Sequence, residues 1–127
     1  MSVQVIDREL ERLDGLWADG LADAYTSYLG AVEAFEEDAQ PKLALAAALI
    51  EVGLRLQGLG GPAAPPAALL MGDLCLARAS RLLADAASQR VQVAFAGAIE
   101  EMASAAASGS AGRPVRELLL DAFEPSR

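Results

Sequence analysis

An all-α protein, folded as one antiparallel bundle of about six helices in a single domain over residues 1–127, is predicted by three observations. Apolar residues recur at helical spacing along nearly the whole chain. No useful stretch alternates with period two, and β-branched residues are few. Much of the 54% apolar content is alanine, the strongest helix former and one that loses no side-chain entropy on folding. A chain of 127 residues fits one domain, since domains run to roughly 100–150 residues.

The elements follow in order. Ile6, Leu10, Leu13 and Trp17 step by four, three and four, which is one stripe of an amphipathic helix. Gly15 and Gly20 weaken its end, so a bend or break is expected at 18–20. A second helix carries Leu21, Ala24, Tyr25, Tyr28, Leu29, Val32 and Phe35 on its apolar face and ends in the acids 36–38. Pro41 suits the first turn of a third helix. That helix runs to Gln57 and is apolar on most sides, with Glu51 and Arg55 four apart on its expected exposed edge. Gly58, Gly60 and Gly61 stop it, and the run to Pro66 reads as a loop. From Pro66 to about Asp85 a fourth helix is expected to turn Leu69, Leu70, Leu74, Leu76, Leu82 and Leu83 inward. Its small residues Asp73, Ala77, Ser80 and Ala84 then suit close contact with a neighbour. A fifth helix spans about 88–108, with Val91, Phe95, Ile99 and Met102 on one face, beside the fourth and antiparallel to it. Residues 109–113 turn the chain, and Pro114 opens a short last helix bearing Leu118, Leu119 and Phe123.

Charge and composition exclude several functions. A net charge of −8 provides no basic patch for nucleic acid or an anionic membrane surface. Leu43 to Leu59, the most apolar stretch, is interrupted by Glu51 and Arg55 and falls short of the roughly 20 apolar residues of a membrane span. One cysteine allows no intrachain disulfide, and the N-terminus lacks the pattern of a signal peptide, so a cytoplasmic protein is expected. The apolar surplus over what a small monomer can hide points to an oligomer.

Candidate chemistry is sparse. The chain has no histidine, and a single cysteine cannot build a thiolate metal site. No catalytic or metal-binding residue is therefore assigned. Glu33, Glu36, Glu37 and Asp38 form the densest acidic group. With no basic or hydroxyl group beside them, a solvated helix end outweighs a magnesium site. Cys75 reads as a small buried hydrophobe. Trp17, Tyr25 and Tyr28 read as core or interface anchors rather than ligand contacts.

Residues 69–83 read Leu-Leu-Met-Gly-Asp-Leu-Cys-Leu-Ala-Arg-Ala-Ser-Arg-Leu-Leu. The stretch resembles a mid-chain helix of trans-polyprenyl diphosphate synthases, through Gly72, Asp73, Leu74, Leu76, Ala77, Arg78 and Ala79. Ala48-Leu49-Ile50-Glu51 upstream, and Ala98, Ile99 and Met102 downstream, extend the likeness over about 40–107. The family's first aspartate pair, which holds magnesium and diphosphate, falls here at Gly58 and Leu59. Its Gly-Glu-x-x-Gln site falls at Ala105 and Ala106. The resemblance thus implies a truncated isoprenoid-synthase fold without its chemistry, similar to the small subunit of heterodimeric hexaprenyl and heptaprenyl synthases. Such a subunit pairs with a catalytic large subunit, helps set prenyl chain length for products such as menaquinone side chains, and leaves magnesium to its partner. The family's dimer geometry would turn the helices at 66–86 and 88–108 toward that partner, making Met71, Leu74, Phe95, Ile99 and Met102 contact or tunnel residues. Each of the five fits the intrachain core equally well. The alternative is a helical interaction module, possibly homodimeric, unrelated to prenyl transfer.

Overall fold

The computed structural model describes residues 20–58, 65–109 and 113–124. Among them are five α-helices and no strand: α1 (Ala22–Ala31), α2 (Gln40–Leu56), α3 (Pro66–Ala86), α4 (Gln89–Ser108) and α5 (Val115–Phe123). The expected first helix, with Ile6, Leu10, Leu13 and Trp17, lies outside the described residues. Of the break expected at 18–20, residues 18 and 19 lie outside the described residues, and Gly20 has a φ of +117°, which ordinary helical residues do not adopt.

Helix α1 is shorter than its apolar spacing predicted. It ends at Ala31, and the chain turns through residues 33–39, so Phe35 and the acids 36–38 leave the helix. Three successive acids at a helix C-terminus would oppose the negative end of its dipole. The turn is held instead by Gln40, whose Nε2 donates to the carbonyls of Phe35 at 3.0 Å and Glu33 at 3.4 Å. Glu33 and Glu37 therefore do not share a helical face.

Helix α2 starts with Pro41 in its first turn and is buried at nearly every position from Leu43 to Leu54. An all-round apolar helix belongs in the middle, and α2 lies between α1 and α3 with α5 touching it.

Helix α3 meets the expectation in part: Leu83 is buried and Leu76 and Leu82 pack half-buried against the core, but Leu69 and Leu70 do not face inward. Gly72, Cys75, Ala79 and Leu83, spaced three, four and four, are its buried stripe. Leu69 and Leu70 are 40% and 70% exposed, and Asp73, Ala77, Ser80 and Ala84 are exposed as well. The reason is backbone proximity. A β-carbon on Gly72 would lie 2.8 Å from the Gly53 carbonyl oxygen, and one on Gly53 would lie 3.1 Å from Cys75 Cβ. Helices this close admit only small residues where the backbones meet, so Gly72 and Cys75 hold that place, with Leu76 packed beside Gly53.

Ser88 caps α4, its Oγ accepting from the Val91 amide at 3.3 Å, and Gly109 at φ +72° closes it. Val91, Phe95, Ala98 and Met102 form the buried face, with Ile99 half-buried. Helix α4 packs on α5 and not along α3, whose close neighbour is α2. This corrects the expected antiparallel pairing over 66–108. Ala87 and Ser88, both extended, separate the end of α3 from the start of α4. Helix α5 is the wedge between α4 and the α1–α2 pair. Its Phe123 meets Phe95, Phe35 and Tyr28 edge-on, with centroids 5.0, 5.9 and 6.4 Å apart. No helix among the described residues is long and apolar enough to cross a membrane.

Candidate functional site

The most concentrated polar chemistry in the fold lies where α1, α2 and α5 meet. Glu51 projects from the middle of α2 and is only 5% exposed. Its Oε1 accepts from the Tyr28 hydroxyl of α1 at 2.9 Å and from Arg116 Nε of α5 at 2.9 Å. Its Oε2 accepts from Arg116 Nη2 at 2.8 Å and from Arg55 Nη2 at 3.1 Å. The Arg116 grip is two-pronged, the stronger form of a guanidinium–carboxylate contact. Arg116 reaches on to α1, donating from Nη1 to Ser27 Oγ and from Nη2 to Asp23 Oδ2, both at 3.2 Å. Asp23 and Ser27 are four apart on α1 and so share the face that meets α5.

Local sequence explains each placement. Glu51 faces inward because every neighbouring position on α2 does too. Arg116 sits in the first turn of α5, directed at α2 by the burial of Leu118 and Leu119. Burial alone would raise the Glu51 pKa, but the hydrogen bonds from Arg116 and Tyr28 and the charges of Arg116 and Arg55 outweigh it and hold the carboxylate below its ordinary value. Tyr28 is pushed well up by burial and by the facing carboxylate, so its hydroxyl stays protonated and donates. Arg116 is raised by its bonds to Glu51.

This arrangement has a clear chemical consequence. Both carboxylate oxygens of Glu51 already accept two donors each, so no lone pair is left free for a metal ion or a substrate. No buried side-chain polar atom among the described residues lacks a partner. The cluster is a clasp fastening α5 to the α1–α2 pair. Beside it an open cleft of about 500 Å³ is lined by Leu54, Arg55, Pro114, Val115 and the two clasp residues Glu51 and Arg116.

Of the residues singled out from sequence, Tyr28 reaches this place, whereas the contact, tunnel and motif positions do not converge on it. Phe95 and Met102 are buried in the chain's own core, and Met71 and Ile99 are half-buried against it. Leu74 is half-buried on α3. Of the motif positions, Gly72 and Ala79 face α2, and Asp73 accepts from Gln57 Nε2 at 2.6 Å. Ala77 is exposed, and Arg78 lines a groove with Arg81 and Asp85. Cys75 is fully buried, its thiol pushed up to about 11 by burial, as a small hydrophobe should be. Tyr28 is a core anchor, as expected; Tyr25 is half-buried against the core. The acids Glu33, Glu36, Glu37 and Asp38 are exposed. No group of three or more His, Cys, Asp or Glu among the described residues is placed to hold a metal ion.

Sequence reading missed Glu51, having paired it with Arg55 at a solvated edge. The available signal was one acid inside the otherwise apolar run 43–54, a position where a carboxylate persists only with partners. Arg116 and Tyr28, 65 and 23 residues away, carry no local mark of that role. Comparison with known proteins returned no match to a family model, a curated protein or a solved structure.

Proposed function

We propose that this chain is a non-catalytic helical subunit that works by docking on another protein, and that its partner is the catalytic large subunit of a trans-polyprenyl diphosphate synthase. The observation that carries the docking is the start of α3. Leu69 and Leu70 stand 40% and 70% exposed, directly before the Gly72–Ala79 stretch on which the family likeness rests. Exposed leucines side by side on a small acidic protein are a surface that gains from being covered. In this reading the heterodimer is cytoplasmic, magnesium and diphosphate belong to the partner, and this chain influences prenyl length through the contact.

The experiment is co-purification with a synthase carrying both aspartate-rich motifs, followed by product analysis from farnesyl and isopentenyl diphosphates. Product length or rate is expected to change when this chain is present. Leu70→Asp is expected to abolish co-purification without moving the unfolding midpoint. A synthase that makes the same product at the same rate without this chain refutes the reading.

Two observations favour a second reading, a helical interaction module unrelated to prenyl transfer. Gly72 is required by the tight α2–α3 crossing alone, whatever the ancestry of the chain. The separation of α3 from α4 also departs from the paired helices that the likeness implied. Under this reading Leu70→Asp still disrupts binding, but to a partner without prenyl synthase activity.

A further inference from the structure

The chain between α3 and α4 contains no helix breaker. From Asp73 to Ala96 there is neither glycine nor proline, and residues 84–90 are mostly strong helix formers. Yet the helix stops at Ala86 and restarts at Gln89, with Ala87 at φ −96°, ψ 141° and Ser88 at φ −66°, ψ 163°. Local preference therefore favours one continuous helix, and the break is imposed from elsewhere. The Ser88 cap on Val91 is its local support. The larger cause is the docking of the α4–α5 arm on the α1–α2 body. That docking rests on the Arg116 clasp and on Phe123 against Tyr28 and Phe35, while α4 itself does not pack along α3.

We propose that residues 87–88 are a hinge through which two copies of this chain exchange their α4–α5 arms. With the hinge straightened, 66–108 is one helix that carries the arm away from its own body. Arg116 and Phe123 of one copy then seat on Glu51 and Tyr28 of the other. Arm and body already fit each other within one chain, so the exchanged dimer needs no new complementary surface. Straightening adds helical hydrogen bonds across 87–88, gives up the Ser88 cap, and separates no packed α3–α4 face. The inference is independent of any prenyl synthase partner.

Two substitutions at one position test it in opposite directions. The φ of Ser88 already matches proline, and the extended Ala87 is what a residue before proline requires, so Ser88→Pro is compatible with the closed chain. In a continuous helix the same proline would clash with the preceding turn. Ser88→Ala removes the cap and strengthens the helix.

Light scattering on the size-fractionated full chain should show a concentration-dependent dimer. Its Kd should tighten about ten-fold with Ser88→Ala, because both hinges lose a cap. Ser88→Pro should leave a folded monomer. Wild-type and Ser88→Ala chains that are both monomeric at every concentration overturn the proposal, as does a dimer unaffected by Ser88→Pro. A mixing experiment covers the case in which the proline variant does not fold. Unfolded and refolded together, Glu51→Ala and Arg116→Ala chains form a heterodimer with one intact clasp, and it should melt above either variant alone. No such gain refutes the exchange.

Discussion

Glu51 shows how one buried charge can organise three helices. A carboxylate taken out of water is tolerated only when its oxygens are occupied by donors, and here four donors from three residues occupy them. Removing Arg116 leaves the charge buried with fewer partners. Arg116→Ala is expected to cost about 3 kcal/mol in urea unfolding at neutral pH, toward the low end for a broken buried pair because the arginine is partly exposed. The pH dependence follows from the depressed Glu51 pKa. The unfolded chain takes up this proton first as pH falls, so the stabilisation is whole above the ordinary carboxylate pKa and disappears as pH drops through the folded value. The stability gap between wild type and Glu51→Gln should therefore narrow steadily in denaturation curves taken below about pH 4.5. Cys75 supports a simpler expectation. Fully buried and with its thiol pushed up to about 11, it should resist thiol reagents in the native protein and react promptly in denaturant.

The α2–α3 crossing inverts the usual effect of glycine in a helix. Exchanging a mid-helix glycine for alanine normally stabilises by about 1 kcal/mol. Gly97 on α4 has open space around its missing β-carbon, so Gly97→Ala should follow that rule. At Gly72 the added carbon would lie 2.5 Å from Gln57 Cγ and 2.8 Å from the Gly53 carbonyl oxygen. The Gln57 side chain can swing aside, but the backbone oxygen cannot. Gly72→Ala should instead destabilise by about 2 kcal/mol, and thermal melts of the two variants should move in opposite directions. The same geometry bears on why Leu69 and Leu70 are exposed against expectation while Leu83 is buried as expected. Hydrophobic spacing locates a stripe but not which of two candidate stripes faces in, and here backbone proximity selects the one with the smaller side chains.

Burial is unevenly distributed through the molecule. Helix α2 is enclosed by α1, α3 and α5, whereas α4 packs on α5. Amide protons of α4 should exchange with solvent markedly faster than those of α2 in native-state hydrogen exchange, because opening the arm leaves the α1–α2–α3 packing in place. Equal protection of the two helices would show that arm and body open together. The net charge of −8 fits the wider picture, in which exposed acids surround a core of aliphatic and small side chains.

Periodicity and punctuation alone were enough to place α2 to α5, though not the early end of α1. Pro41, Pro66 and Pro114 mark three beginnings and Gly109 one end, each within a residue or two of the structure, because capping and proline geometry act over a few residues. The helical class followed for the same reason. The burial of Glu51, the inward turn of Gly72 and Cys75, and the separation of α3 from α4 had no local signature. Each depends on groups far apart in the chain meeting in space: a guanidinium 65 residues away, a carbonyl on the neighbouring helix, and α5 packed against α1, α2 and α4. Hydrogen-bond satisfaction and close packing are properties of the folded whole, and they settled the orientations that an alanine-rich pattern left open.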